Sequence, residues 1–382
     1  MKKVHDVAII GGGIIGASIA YELARYKLDL ILLEKNPVLA NETSLGNTGL
    51  IHGGFDPDPS KKNEPWMNVE GNKKWVNEWF KHLQFPRVKI DSLITAFNDE
   101  EMEHVHMLYE RGLINKVRKE DMQILSKEEV IKKEPNINKD VKGALLCTSS
   151  WAIAPVEATK ALIGAAMQNG MELAKNAKVV SIKKLKVFLE IKTEDNRVFY
   201  AKKIVNAAGH YADVLANENG FDDFKQTTRR GEYRVLDKYT PNLVNSVVFK
   251  VPTIHGKGVV VAPTLDGHYI VGPTAEENVP KEDTRLVTRE KYDYIGKVGT
   301  DLIPDIKLER TIMTLSGSRP IDIETDDFVI RPSKNDSDFI LAAGMQSPGL
   351  SSAPVIASEI AKLLNVKLEP KPDFKPDFTQ LV

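Results

Sequence analysis

The sequence predicts an α/β protein in which a discontinuous domain built on a parallel sheet is interleaved with a mixed, largely antiparallel domain. Three observations carry that prediction. The apolar run Asp6-Val7-Ala8-Ile9-Ile10 leads directly into Gly11-Gly12-Gly13-Ile14-Ile15-Gly16, and Leu28-Asp29-Leu30-Ile31-Leu32-Leu33 follows a stretch of helical period. Buried-type runs return far down the chain at Lys203 to Ala208 and at Asp338 to Ala343. Between those two, alternating residues and turn signals read as hairpins.

Taken in order, Gly11 permits a tight turn after the first strand and Gly13 lets the backbone approach a pyrophosphate. Gly16 lets the helix pack closely on the sheet, and the helix N-terminus offers unpaired N–H groups to an anion. Ile14, Ile15, Ile19 and Leu23 keep helical spacing to about Tyr26. Glu34 closes the second strand about 20 residues beyond the glycines, where a carboxylate accepts hydrogen bonds from ribose hydroxyls. Strand, turn, helix, strand and acid in register define a Rossmann-like unit that binds a dinucleotide. Asn41 to Asp58 is a loop rich in glycine, asparagine and threonine, and Trp66 to Leu83 reads as a helix. From Arg87 to about Asn138 the chain turns charged and mixed, with helices at Asp99 to Arg111 and Lys127 to Glu134, and does not continue the parallel sheet. Pro155 to Asn169 is a packed helix with proline in its first turn. Val179 to Ile182, Phe188 to Ile191 and Arg197 to Tyr200 read as short strands, and Lys203 to Ala208 as a buried one ending at Gly209. Arg230 to Leu236 alternates, and Gly258 to Pro263 pairs with His268 to Gly272 across Asp266-Gly267. The last strand, Asp338 to Ala343, leads through the turn Gly344 to Ser352 into a helix ending near Leu364, with Pro354 expected in its first turn. This divides the chain into a dinucleotide-binding domain of residues 1–82, 143–217 and 328–370, a substrate domain of 83–142 and 218–327, and a tail of 371–382.

Composition narrows the function. The chain has 382 residues, 42% of them hydrophobic, with 52 basic against 53 acidic side chains and a formal charge of -1. No global field draws it to nucleic acid or an anionic membrane, so any bound anion must be met by a few local cations. Cys147 is the sole cysteine, which excludes an intrachain disulfide and a cysteine metal cluster and suits a reducing cytoplasm; no metal is expected. Met1-Lys2-Lys3 and the apolar residues behind it resemble a leader, but Asp6 and three glycines interrupt the run, so secretion is not expected. No apolar run approaches the ~18 residues of a transmembrane helix. A cytoplasmic protein is expected, with peripheral membrane association left open.

Thr43-Ser44-Leu45-Gly46-Asn47-Thr48-Gly49-Leu50-Ile51-His52-Gly53-Gly54 is the second informative stretch: small residues let backbone pass close to a flat cofactor and deliver one imidazole to it. With Asn206-Ala207-Ala208-Gly209, Arg229-Arg230-Gly231-Glu232-Tyr233 and Gly344-Met345-Gln346-Ser347-Pro348-Gly349-Leu350, this loop resembles the FAD-dependent oxidoreductases of the D-amino acid oxidase superfamily, essentially end to end. Within it the chain is most similar to the glycerol 3-phosphate oxidase and dehydrogenase group, in particular the short oxidases, since it ends soon after the last helix. L-2-hydroxyglutarate dehydrogenases share much of the pattern.

The resemblance implies that Ile14, Glu34, Thr43, Ser44, Thr48, Gly49 and Leu50 contact FAD, that the backbone of Val179 meets the adenine side, and that Met345, Gln346 and Ser351 line the isoalloxazine. A helix beginning near Ser351 would aim its N-terminal dipole at the ring edge where negative charge collects on reduction, although Ser351 as a plain helix cap accounts for the residue equally. His52 is the expected base: oxidising a secondary alcohol needs a hydride acceptor and a group titrating near neutrality to take the hydroxyl proton. The resemblance also implies that Thr48, His52, Lys257, Arg319 and Ser347 hold the substrate. A guanidinium, a point cation and a hydroxyl together suit a phosphate. Lys257 reads equally as a solvated hairpin tip, and Arg229-Arg230 as a rival anion site or a brace for the sheet. The expected reaction is non-covalent FAD oxidising sn-glycerol 3-phosphate to dihydroxyacetone phosphate, with oxygen as acceptor and hydrogen peroxide as product. Other phosphorylated polyols, L-2-hydroxyglutarate and a non-catalytic flavoprotein stay open as alternatives. An amine oxidase is less favoured, because no cysteine lies near the C-terminal flavin loop.

Overall fold

In the computed structural model, which describes residues 3–221, 224–239, 241–251 and 258–379, five strands run parallel. Their spatial order is Phe339–Ala343, Val198–Asn206, His5–Ile10, Leu30–Leu33 and Glu172–Ala174. Val179–Lys184, Leu189–Thr193 and Val329–Pro332 extend this sheet antiparallel to eight strands. On one face lies Ile14–Leu23, a helix buried at all ten positions, packed between Pro155–Gln168 and Gly349–Leu363. A helix with no wet face must be covered all round, and these two neighbours and the sheet cover it. The other face is closed by Ala212–Glu218 and by Phe221, which stacks on Phe339 at 4.3 Å between ring centroids.

Two expectations on this sheet need correction. The segments Arg197 to Tyr200 and Lys203 to Ala208 form one strand, Val198–Asn206, whose first half pairs with Leu189–Thr193 and whose second half pairs with Phe339–Ala343. Lys202 and Lys203 break the apolar pattern there without breaking the strand, because each reaches a carboxylate, Asp6 at 2.7 Å and Asp338 at 2.6 Å. The last helix starts at Gly349, which puts Pro354 in its second turn rather than its first. Proline supplies no N–H to the carbonyl four residues back. That carbonyl, Leu350 O, instead accepts from Trp75 Nε1 at 3.0 Å.

The second sheet has nine strands, built on the long antiparallel ribbon of Gln226–Leu236 with Thr311–Asp322. The expected hairpin is present as Val260–Pro263 and Tyr269–Gly272, with Val260 opposite Gly272 and Gly267 at φ +88 in the turn. Ser92–Ala96, Met122–Ser126 and Gly143–Cys147 also belong to this sheet. Gly143–Cys147, expected in the dinucleotide-binding part, pairs on both sides with strands of this sheet. A small sheet of Leu50–Ile51, Trp151–Ile153 and Arg87–Lys89 spans the junction. Leu50 and Ile51, directly before His52, are thereby held in β structure.

Candidate active site

A cleft of about 920 Å³ opens at the C-terminal ends of the parallel strands, where Ile10, Leu33, Ala207 and Ala343 line it. This is where open parallel sheets bind their ligands. One end is walled by Glu34, Asn36, Lys178, Val179 and Glu194, the middle by Gly11 to Ile14 with Thr43 and Ser44, and the far end by Thr48 to Leu50, His52, Tyr233, Arg319 and Met345 to Leu350. Val179 opens the edge strand of the sheet.

The glycine turn is fixed by close backbone approach. Gly11 sits at φ +114, and a Cβ there would stand 2.3 Å from Ala207 O; a Cβ on Gly16 would stand 2.0 Å from Gly11 O. Gly16 therefore packs the helix and, unlike the other motif residues, does not line the cleft. Glu34 is buried, with Oε2 accepting from Gly12 N at 2.6 Å and Oε1 from Asn36 N at 2.7 Å. At the helix start, Ser44 Oγ accepts from Ile14 N at 2.9 Å. That hydroxyl keeps a proton to donate to an anion at the positive helix end.

Asn47 organises the loop that follows. Its amide donates to Ser44 O at 2.8 Å and Thr43 O at 3.2 Å, and its carbonyl accepts from Gly49 N at 2.8 Å, beside Gly49 at φ +69. Sequence reasoning passed over Asn47, although an asparagine among glycines is a common local hydrogen-bonding device. The loop is pinned to the substrate sheet where Gly46 meets Gly317, backbone against backbone. Thr43 Oγ1 donates to Ser318 O at 2.8 Å, and His210 Nε2 donates to the same carbonyl at 2.9 Å. Burial pushes the His210 pKa down to about 4, and its Nδ1 is buried without a partner among the described residues.

His52 lines the far end, and its backbone is held on both sides: His52 N donates to Ser351 Oγ at 2.8 Å, and His52 O accepts from Asn72 Nδ2 at 2.9 Å. Ser351 is fully buried and is not among the residues that line the cleft. Because the last helix begins two residues earlier, Gly349 and Leu350 present its N-terminus to the cleft, and the Ser351 hydroxyl anchors His52. Met345, Gln346 and Ser347 line the cleft.

Arg319 also faces this end. Burial holds its pKa below the ordinary arginine value, and its buried Nη2 has no partner among the described residues. An unpaired guanidinium nitrogen inside a cleft is a site for an anion. Tyr233, missed in the sequence, lies buried with its hydroxyl 3.4 Å from Thr48 Oγ1, and burial raises its pKa so that it stays protonated. The rival pair is otherwise engaged: Arg230 holds Glu276 at 2.7 Å and Glu232 at 3.2 Å, and Arg229 pairs with Glu277. Lys257 and His255 lie outside the described residues.

The fold and cleft define a dinucleotide-dependent oxidoreductase. The chain belongs to the FAD dependent oxidoreductase family, whose profile matches residues 6–363. It is 47% identical over 375 residues to the glycerol 3-phosphate oxidase of Mycoplasma pneumoniae, covering 97% of each chain. The solved structure of dithionite-reduced L-alpha-glycerophosphate oxidase from the same organism, with FAD bound, superposes with a TM-score of 0.94 at 46% identity over 98% of both chains. The L-2-hydroxyglutarate dehydrogenase of Escherichia coli is 28% identical over 71% of this chain and 64% of its own. The residues present fit FAD: two helix N-termini, a glycine turn with no room for side chains and a buried ribose-type acid line one extended cleft.

Proposed function

We propose that this protein oxidises sn-glycerol 3-phosphate to dihydroxyacetone phosphate and passes the electrons to oxygen, releasing hydrogen peroxide. The observation that carries the reading is Arg319 Nη2, without a partner among the described residues, on the lining of the cleft that also takes in His52. A candidate anion handle and a candidate base thus line the same cleft. The full-length likeness to a glycerol 3-phosphate oxidase supports the same substrate over a hydroxyacid.

Bound FAD supplies a two-electron acceptor for the hydride that leaves C2. His52 takes the C2 hydroxyl proton as the C–H bond breaks, and its doubly held backbone fixes where the imidazole is delivered. Arg319 pairs with the phosphate, assisted by Ser347 and Lys257, while Thr48 and Tyr233 offer hydroxyls to the polyol. Glu34, Thr43, Ser44, Thr48, Gly49, Leu50, Val179, Met345 and Gln346 hold the cofactor along the cleft. Among the described residues no helix is long and apolar enough to cross a membrane; a cytoplasmic location is part of the proposal.

The test is to mix the purified yellow protein anaerobically with sn-glycerol 3-phosphate, and separately with L-2-hydroxyglutarate, and follow the flavin absorption band. Bleaching by the phosphate alone, with peroxide formed on admitting air, is expected. Bleaching by the hydroxyacid alone would transfer the assignment to the alternative, and bleaching by neither would overturn both.

A further inference from the structure

We propose that Glu64, with Asp326, locks the side-chain amide of Gln346 so that its carbonyl oxygen faces the cleft, making Gln346 a hydrogen-bond acceptor for the flavin ring and Glu64 the positioning residue behind it. Glu64 opens the helix Glu64–Lys74 and is 4% exposed. It is set there by Asp327, whose carboxylate caps the helix by accepting from Asn63 N at 2.8 Å and Glu64 N at 3.0 Å. The neighbouring Asp326 adopts a left-handed conformation, φ +48, which turns both its carbonyl and its carboxylate toward the same point. Gln346 Nε2 lies at that point, 2.7 Å from Glu64 Oε1, 2.9 Å from Asp326 O and 2.9 Å from Asp326 Oδ1.

A backbone carbonyl and ionised carboxylates can only accept, so the amide atom between them must be the NH2. Turning the amide over would set its oxygen against three acceptors. The end left for the cleft is Oε1, which receives no hydrogen bond among the described residues. Lys61 offsets the buried acid: its Nζ is 3.3 Å from Glu64 Oε2 and 2.9 Å from Asp326 Oδ2. The sequence marked Gln346 as a ring contact but not which end of its amide does the contacting, and nothing in it marked Glu64.

Two-electron reduction adds N–H hydrogen to the isoalloxazine, so an acceptor held where that hydrogen is added favours the reduced form. The inference rests on FAD occupying this cleft and not on which alcohol is oxidised; a purified protein without flavin would fail that premise visibly, before any potential is read. The experiment is to measure the flavin midpoint potential of the holoenzyme and of Gln346→Met, Glu64→Met and Glu64→Gln. Gln346→Met should shift the oxidised-to-reduced ratio about fivefold toward oxidised, a fall of about 20 mV at 30 mV per tenfold. Glu64→Met should move the potential in the same direction by less, since Asp326 still accepts. Glu64→Gln, which keeps a carbonyl to receive Nε2 but loses the charge, should restore the parent value. An unchanged potential in both methionine variants would overturn the acceptor role. A Glu64→Gln shift equal to that of Glu64→Met would overturn the lock in favour of a bare charge effect. If Gln346→Met does not retain flavin, the two Glu64 variants decide the matter alone.

Discussion

Gly317→Ala is the substitution that most directly tests whether the cofactor loop and the substrate sheet are registered by contact. A Cβ at position 317 would lie 1.7 Å from Gly46 O and 2.5 Å from Gly46 C, and a Cβ on Gly46 would lie 2.2 Å from Ser316 O. Neither backbone can yield alone, because Thr43 Oγ1 and His210 Nε2 both hold Ser318 O, one residue along the strand. The junction must open by more than 1 Å before the closest contact reaches even 3.0 Å. That displacement separates Thr48 and His52 on the loop from Arg319 on the strand, and a shift of about 1 Å at a reacting centre costs about a hundredfold. The expected result is a kcat/KM for glycerol 3-phosphate lower by about two orders of magnitude, about 2.7 kcal/mol of transition-state stabilisation. Overpacking adds a stability loss of about 1–3 kcal/mol, read by denaturant unfolding. Gly267→Ala is the control: it sits at φ +88 in a hairpin turn whose nearest atoms belong to Lys238, so it should cost about 1 kcal/mol of stability and leave kcat/KM unaltered. Gly317→Ala activity within threefold of the parent would show that the Gly46–Gly317 contact does not set the geometry of the site.

His52→Gln should retain FAD and lose at least about a hundredfold in turnover under single-turnover conditions; parent-like turnover would remove His52 from the reaction. Arg319→Met should raise KM for the phosphate substrate by at least about tenfold with the flavin spectrum unchanged, whereas a fall in kcat at constant KM would take Arg319 out of anion binding. His210, held neutral by burial with a pKa of about 4 against about 6.5 when unfolded, resists protonation that the unfolded chain accepts. Stability is therefore full above about pH 6.5 and falls by up to about 3 kcal/mol as pH drops to about 4; urea unfolding of His210→Gln across that window should lack this component, and an unaltered slope would place the acid sensitivity elsewhere.

What could be read from the sequence was local, and what could not was brought together by the fold. The glycine turn, Glu34 and the hairpin over Asp266-Gly267 announce themselves because turn, helix and strand chemistry are settled within a few residues. The strand Ser92–Ala96 was missed because it is buried by a partner far off in the chain, Val247–Lys250, in a region whose average composition is charged. The same rule governs the site. Tyr233 meets Thr48 across 185 residues and Gln346 meets Glu64 across 282, so neither pairing leaves a mark at either position. Ser351 is the instructive case. The family resemblance sets it beside the isoalloxazine, and the hydrogen bond it makes here ties its hydroxyl to the backbone of His52. With Pro354 in the second turn, the helix gains two residues at its start. Gly349 and Leu350 then take the place at the cleft, the Leu350 carbonyl left over by proline goes to Trp75, and the serine hydroxyl turns inward to the backbone of His52. A helix start two residues earlier thus leaves the Ser351 hydroxyl on the backbone of the proposed base, which is why the role of a residue at a helix start has to be decided from the hydrogen bonds it makes.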